Sequence, residues 1–259
     1  MKTFFEMRGV GKKFGGLCAV DDFSIEIGEG ALVGLIGPNG AGKTTVFNMI
    51  TGFIAPTGGE ILWRGQNITR FPAHRVTAAG IARTFQNIRL FAEMTVLENV
   101  MVSFHYSIRS SVWRAMAGSP KYRREEGAIR DESMRFLDDL GLGHLLAEKA
   151  GTLPHGQQRK LEIARALATR PQLLLLDEPA AGMNPIETME LAGLIRRIRE
   201  QHGVTVFLIE HDMKFVMGLC ERIKVLDYGH SIAEGPPAEI RRDKKVIEAY
   251  LGRAAHAAS

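Results

Sequence analysis

Apolar residues in this chain gather into a few short unbroken runs, and between them the apolar period lengthens to that of a helix. Ala31 to Ile36 is such a run and leads into a glycine-rich turn, which predicts a buried strand. Strands are likewise expected at Leu173 to Asp177, Thr205 to Glu210 and Ile223 to Asp227. After the first run, Val46, Phe47 and Ile50 share one face of a helix beginning near Thr45, with Gly52 placed to end it. Pro56 to Gly59 is turn chemistry before a short strand at Glu60 to Trp63. Met189, Leu194, Ile195 and Ile198 recur at helical spacing within Ile186 to Gln201, with Asn184 as N-cap and Pro185 as first helical residue. Strand, helix and strand in repetition predict an α/β fold, a mostly parallel sheet with helices packed on it.

The stretch from about Asn67 to Thr169 departs from that pattern, being more charged and poor in β-branched runs. Ile129, Phe136, Leu137 and Leu140 fall on one face of a helix whose other face is Arg, Asp and Glu, and a second helix is expected from about Gln157 to Ala168. A strand–helix–strand crossover needs only about 30 residues. The segment is therefore expected to form an inserted helical lobe. Small and polar residues from Arg253 to Ser259 predict a flexible tail.

Composition narrows this little. The chain has 259 residues, 45% apolar and 24% charged, enough for one large domain or one domain with a lobe. Its 33 basic and 29 acidic residues give a formal charge of +4, too small and too dispersed to argue for nucleic acid. Cys18 and Cys220 lack metal-like spacing and are expected to be buried small hydrophobes in a reducing compartment. The start shows no signal-peptide pattern, and no apolar run approaches the about 20 residues that span a bilayer, so any membrane role is expected to be peripheral.

Two segments carry chemistry. Gly37, Pro38, Asn39, Gly40, Ala41, Gly42, Lys43 and Thr44 match G-x-x-x-x-G-K-[ST], between a buried strand and a helix. Glycines in such a loop let successive backbone N–H groups face phosphate oxygens, and the following helix, with Thr45 in its first turn, adds its positive end. Lys43 is expected to reach the β- and γ-phosphates and Thr44 to hold Mg²⁺. The run from Leu173 ends in Asp177 and Glu178, delivering carboxylates to the sheet edge where open α/β folds bind ligands. Asp177 is expected to hold Mg²⁺ and Glu178 to orient or deprotonate the attacking water.

Leu153 to Leu167 then sets a second helix N-terminus, with glycine and without a lysine of its own, in the same chain. Such an end makes sense if it closes over a nucleotide held by another copy or a partner. The segment resembles the ABC signature, usually written L-S-G-G-Q, and the resemblance to ABC ATPases runs from about Phe4 to Leu251. It implies a P-loop NTPase core with a mostly parallel sheet, an antiparallel β-subdomain and the inserted helical lobe. One domain over residues 1–253 is implied, with core at about 1–85 and 166–235, lobe at about 86–165, a helical end at about 236–252 and a tail at 253–259.

The resemblance further implies ATP and Mg²⁺ as ligands. Phe14 falls where the family stacks an aromatic on adenine, Val20 also falls in the nucleotide site, and Gln86 falls where a glutamine senses Mg²⁺ and the γ-phosphate. His211 falls on the switch histidine and Ala181 to Pro185 on the D-loop, while Pro154, His155, Gly156 and Gln157 stand as the signature contacts. Pro154 replaces the signature serine, His155 the first glycine and Asn184 the D-loop aspartate. The ATP site completed by this signature is therefore expected to be the weaker of two.

Several segments are most similar to the ATPases of high-affinity branched-chain amino acid importers: Thr84 to Phe91, Asp177 to Pro185, Ile209 to Met217 and Ile247 to Gly252. This implies a peripheral subunit on the cytoplasmic side of the membrane. Its implied partners are a second ABC ATPase in a heterodimer or homodimer, two transmembrane permeases and, indirectly, a periplasmic or extracellular binding protein. Leu90, Phe91, Met94 and Val96 are the expected docking surface, or else lobe core. Urea and amide importers and the lipopolysaccharide exporter's ATPase have related sequences and stay open. Soluble ABC ATPases usually carry two motif sets or a long coiled coil, and neither is present.

Overall fold

A computed structural model describes residues 3–105 and 120–256. The chain forms two compact units, one of residues up to Gln86 together with those from Gln172, the other Asn87–Pro171.

The first unit holds two sheets. β1 (Thr3–Phe14), β2 (Leu17–Gly28), β4 (Gly58–Trp63) and β5 (Gln66–Asn67) form an antiparallel sheet in the order β2-β1-β4-β5. Phe23, Ile25 and Ile27 of β2 are buried while Ser24 and Glu26 are exposed, the period-two signature of a sheet covered on one face. The second sheet contains β3 (Leu32–Ile36), β6 (Ile81–Arg83), β7 (Leu173–Asp177), β8 (Thr205–Ile209), β9 (Arg222–Asp227) and β10 (His230–Gly235). Its order is β10-β9-β3-β8-β7-β6, parallel except for the β9–β10 hairpin. Every residue of β3, β7 and β8 is buried, which is why these strands read as continuous apolar runs.

Register places the chemistry. Leu35 of β3 and Asp177 of β7 both lie opposite Ile209 of β8. The three strands therefore end together, and Gly37, Glu178 and Glu210 leave from one edge. Helices follow at Lys43–Ile50 and Pro185–His202, the first packed through Phe47 on Phe207 of β8 with ring centroids 5.1 Å apart.

The second unit is helical: Val96–His105, Pro120–Asp139 and His155–Ala168, with short 3-10 turns at Gly143–Leu145 and Ala150–Thr152. Ile129, Leu137 and Leu140 are buried along the stripe expected from sequence, and Phe136 meets Phe104 at 5.8 Å. The last of these helices begins two residues before the expected Gln157, because Pro154 supplies the N-cap.

Burial corrects one expectation and separates two alternatives. Cys18 is exposed, since it sits at the β1–β2 turn, whereas Cys220 is buried as expected. Val96 is fully buried in the lobe, while Phe91 is 47% exposed, with the Arg165 guanidinium 4.8 Å from its ring centroid. The C-terminal helix, Lys244–His256, continues past Arg253, and residues 257–259 of the expected tail lie outside the described residues. Among the described residues no helix is long and apolar enough to cross a membrane.

Candidate functional site

The loop from Gly37 to Thr44 is shaped by close backbone approach. Gly42 is the N-cap of the Lys43–Ile50 helix at φ 105°, and a Cβ there would lie 2.5 Å from the Ala19 carbonyl oxygen. Only glycine suits both the conformation and the space. A Cβ on Gly37 would run into the carbonyl of Leu226. Neighbouring backbone braces the loop: Ala41 N–H donates to Pro38 O (3.1 Å), Gly229 N–H to Ala41 O (2.9 Å) and Asp21 N–H to Gly229 O (2.9 Å). Lys43, 5% exposed, donates from Nζ to the carbonyls of Gly37 (2.6 Å) and Pro38 (3.0 Å). No side chain caps the helix that follows, so its first N–H groups and its dipole are directed at whatever the loop encloses.

Two carboxylates at the end of β7 have different surroundings. Asp177 is 3% exposed, and its Oδ2 accepts from Arg83 Nη2 at 2.6 Å. Glu178 turns out of the strand at φ 46°, a left-handed conformation that is strained for a residue with a side chain. Its Oε2 accepts from Gln86 Nε2 at 3.1 Å and lies 3.5 Å from Nδ1 of the exposed His211. Glu210, at the end of β8, is buried and bonds backbone on both sides: Oε1 accepts from Ala180 N–H (2.9 Å) and Oε2 from His211 N–H (3.0 Å). Burial pushes its carboxyl above the usual range, and the N–H bonds from Ala180, His211 and Asp212 offset part of that. Glu210 thereby fixes the turn after Glu178 against the segment carrying His211.

These parts meet in an open cleft of about 750 Å³. Of the residues expected from sequence, Phe14, Asn39, Gly40, Ala41, Gly42, Lys43, Thr44, Thr45, Gln86, Glu178 and His211 line it. Phe14, 48% exposed, stands at one wall with the Lys12 ammonium 5.1 Å from its ring centroid. Gly37, Pro38 and Asp177 are buried beneath the loop and strand end. Val20, expected in the nucleotide site, is fully buried, its Cγ2 3.2 Å from where a Cβ on Gly42 would sit. Val20 packs against the loop at Gly42, and Leu17, Cys18 and Ala19 form that wall instead. Tyr228, exposed at the β9–β10 turn, completes the lining; its signal in the sequence is an aromatic before a Gly-His turn.

The donors suit a hard cation. Thr44 offers a hydroxyl, Gln86 an amide oxygen and Asp177 a carboxylate, which is the oxygen set that Mg²⁺ shares with nucleotide phosphates. Among the described residues there is no cluster of His, Cys, Asp and Glu that would hold a metal without such a ligand.

In the second unit, the His155–Ala168 helix starts from Pro154 at φ −54° and ψ 150° with no side-chain cap. Gln157 and Gln158 donate their N–H to Pro154 O, each at 3.0 Å, and Gln158 Nε2 donates to Leu153 O at 2.9 Å. Pro154 and His155 are exposed, with Gly156 and Gln157 partly so. A buried Arg159–Glu162 pair at 2.7 Å holds the next turn.

A glycine-lined phosphate loop, an acidic strand end, and a glutamine and histidine on one carboxylate define a P-loop ATPase of the cassette type. The chain belongs to the ABC transporter family, whose model matches residues 20–181; a second model, "Branched-chain amino acid ATP-binding cassette transporter", matches residues 231–256. It is 46% identical over 253 residues to the high-affinity branched-chain amino acid transport ATP-binding protein BraF of Pseudomonas aeruginosa, covering 98% of this chain and 99% of that one. To LivG of Salmonella typhimurium, a protein of the same description, it is 47% identical over 248 residues, 96% of this chain and 97% of that one. The crystal structure of the ADP conformation of MJ1267, an ATP-binding cassette of an ABC transporter, matches with a TM-score of 0.85 at 32% identity, over 97% of this chain and all of that one. The chain is thus an ATP-binding, ATP-hydrolysing subunit of an ABC transporter.

Proposed function

We propose that this chain powers a high-affinity branched-chain amino acid importer, hydrolysing ATP in the cleft between Phe14, the Gly37–Thr44 loop and Glu178. The observation that carries the reading is the meeting of Lys43, Gln86, Glu178 and His211 on one cleft beside an uncapped helix N-terminus. Phe14 stacks on the base, the loop N–H groups and Lys43 hold the β- and γ-phosphates, and His211 reaches the γ-phosphate. Thr44, Gln86 and Asp177 would hold Mg²⁺, which when bound would supply positive charge against the negative charge that builds on the phosphates. Glu178 orients the attacking water and takes its proton. Its contact with Gln86, three residues past β6, ties that carboxylate to the start of the segment leading into the helical unit.

Pro154, His155, Gly156 and Gln157 complete the ATP site of a second ATPase subunit. With proline for serine at the signature, the two sites of a heterodimer are unequal. Two membrane permeases dock near Phe91, on the cytoplasmic face, and a binding protein outside delivers the substrate. Similarity to BraF and LivG over nearly the whole chain supports the amino acid reading.

The Glu178→Gln variant tests the chemistry. It keeps the shape and the Gln86 contact but cannot accept the proton. Hydrolysis by the assembled complex is expected to fall roughly 10²- to 10⁴-fold at that site while ATP binding persists. Wild-type turnover at that site would remove Glu178 from the reaction.

A further inference from the structure

We propose that Arg83 is a positioning residue for the metal carboxylate of this ATPase, a role that rests on Asp177 serving Mg²⁺ as argued above. Arg83 is the last residue of β6 and is buried beside Asp177. Its Nη2 donates to Asp177 Oδ2 at 2.6 Å, while Nη1 donates to Asn48 Oδ1 at 2.7 Å and Thr51 Oγ1 at 3.2 Å. Asn48 lies on the helix that begins at Lys43, and Thr51 is the C-cap of that helix. One planar fork therefore joins the strand end bearing the metal carboxylate to the helix bearing Lys43 and Thr44. The rings of Phe47 and Phe85, with centroids 5.6 and 5.3 Å from the guanidinium carbon, keep the fork from swinging away.

The backbone on either side is also fixed. Thr84 N–H donates to Leu175 O at 2.9 Å, and Asp177 N–H donates to Thr84 Oγ1 at 3.3 Å. Burying a carboxylate without a positive partner is costly. Arg83 supplies that charge through Oδ2, which leaves the lone pairs of Oδ1 to other partners. The guanidinium acts through Asp177: it sets where the carboxylate is when a metal arrives.

The test is a Mg²⁺ titration of mant-ATP binding to the purified full chain, for wild type, Arg83→Met, Arg83→Lys, Asp177→Asn and the Arg83→Met/Asp177→Asn double variant. Arg83→Met is expected to raise the Mg²⁺ concentration for half-maximal binding about tenfold or more, the usual cost of losing a partner of a metal ligand. Metal-free binding of the analogue should stay within about twofold, which a general loss of structure would not allow. Arg83→Lys, with charge but no fork, should fall between. The double variant should melt higher than Arg83→Met, because no lone buried charge remains, and should need no more metal than Asp177→Asn alone. A wild-type Mg²⁺ midpoint in Arg83→Met or Arg83→Lys, with Asp177→Asn shifted, overturns the role of Arg83 only. An unshifted Asp177→Asn removes the metal reading of Asp177 and the proposal together. If neither Arg83 variant folds, the pair is structural and the proposal falls.

Discussion

Two helices start from the same edge of the parallel sheet and begin in opposite ways. The Pro185–His202 helix closes its own end: Asn184 Oδ1 accepts from Ile186 N–H (2.9 Å) and Glu187 N–H (3.0 Å), and Glu187 Oε2 accepts from Asn184 N–H (2.9 Å). That is a capping box with proline at the first position, and it leaves few donors for anything else. The Lys43–Ile50 helix has glycine at its N-cap and no side-chain cap. Its first N–H groups are unsatisfied by the helix itself, which costs stability unless a ligand takes them. A sequence that caps one helix fully and leaves the other bare has separated structure from binding. The His155–Ala168 helix resembles the bare one, since Pro154 offers neither hydroxyl nor N–H.

The strongest way to break this contrast is Lys43→Ala. Losing one charged contact to phosphate should weaken mant-ATP binding about tenfold to a hundredfold, while Asn184→Ala should leave it nearly unchanged. Normal binding by Lys43→Ala would mean that the uncapped end serves no phosphate. Asn184→Ala should instead lower stability by about 1 kcal/mol, seen as a fall of roughly 2–4 °C in melting temperature. An unchanged melting point would show that the box contributes nothing to the fold.

The bare end was legible in the sequence because its chemistry fixes residue types: Gly37, Gly42, Lys43 and Thr44 cannot be exchanged freely. The all-apolar strands β3, β7 and β8 were legible for a different reason, burial on both faces. The β1–β2 hairpin, twelve residues in each strand, is not among the elements the pattern predicts, although Phe23, Ile25 and Ile27 alternate. Bulges between Met7 and Lys12 break the period in β1. Arg83 and Glu210 could not be read at all. Arg83 is 94 residues from Asp177, and Glu210 is 30 residues from Ala180, so what each does is set by topology and not by neighbouring residues. Cys18 and Val20 differ from expectation because contacts distant in sequence decide their burial: Cys18 lies open beside the β1–β2 turn, whereas Val20 packs against Gly42.

Pro154→Ser sharpens the contrast from the side of the second bare end. In the assembled complex, Glu178→Gln on this chain silences the site built on its own phosphate loop, leaving the site its signature completes. Restoring a hydroxyl and an N–H there should lower the ATP concentration for half-maximal hydrolysis about threefold, the worth of a modest hydrogen bond. No change would show that Pro154 does not weaken that site. Equal loss of hydrolysis from Glu178→Gln on this chain and from the matching carboxylate-to-amide change on the other ATPase would end the claim of unequal sites.

The smallest effect concerns Glu210, which joins the turn after Glu178 to His211. Burial holds its carboxyl above the usual value in the folded chain, so the folded state binds this proton more tightly than the unfolded state does. Stability from that proton is complete below the unfolded value and is lost as pH rises through the folded one. Glu210→Gln cannot titrate, and its amide oxygen still accepts from Ala180 N–H, although the amide nitrogen cannot accept from His211 N–H. Wild type should therefore lose stability relative to Glu210→Gln as pH is raised from about 4 to 8, by an amount on the order of 1 kcal/mol or less, read from the melting temperatures of the two. Running both in a His211→Gln background isolates the contribution of Glu210 to the difference. A gap that stays flat across that range would mean the surrounding N–H groups fully compensate burial, and the link between the two turns would then carry no electrostatic cost.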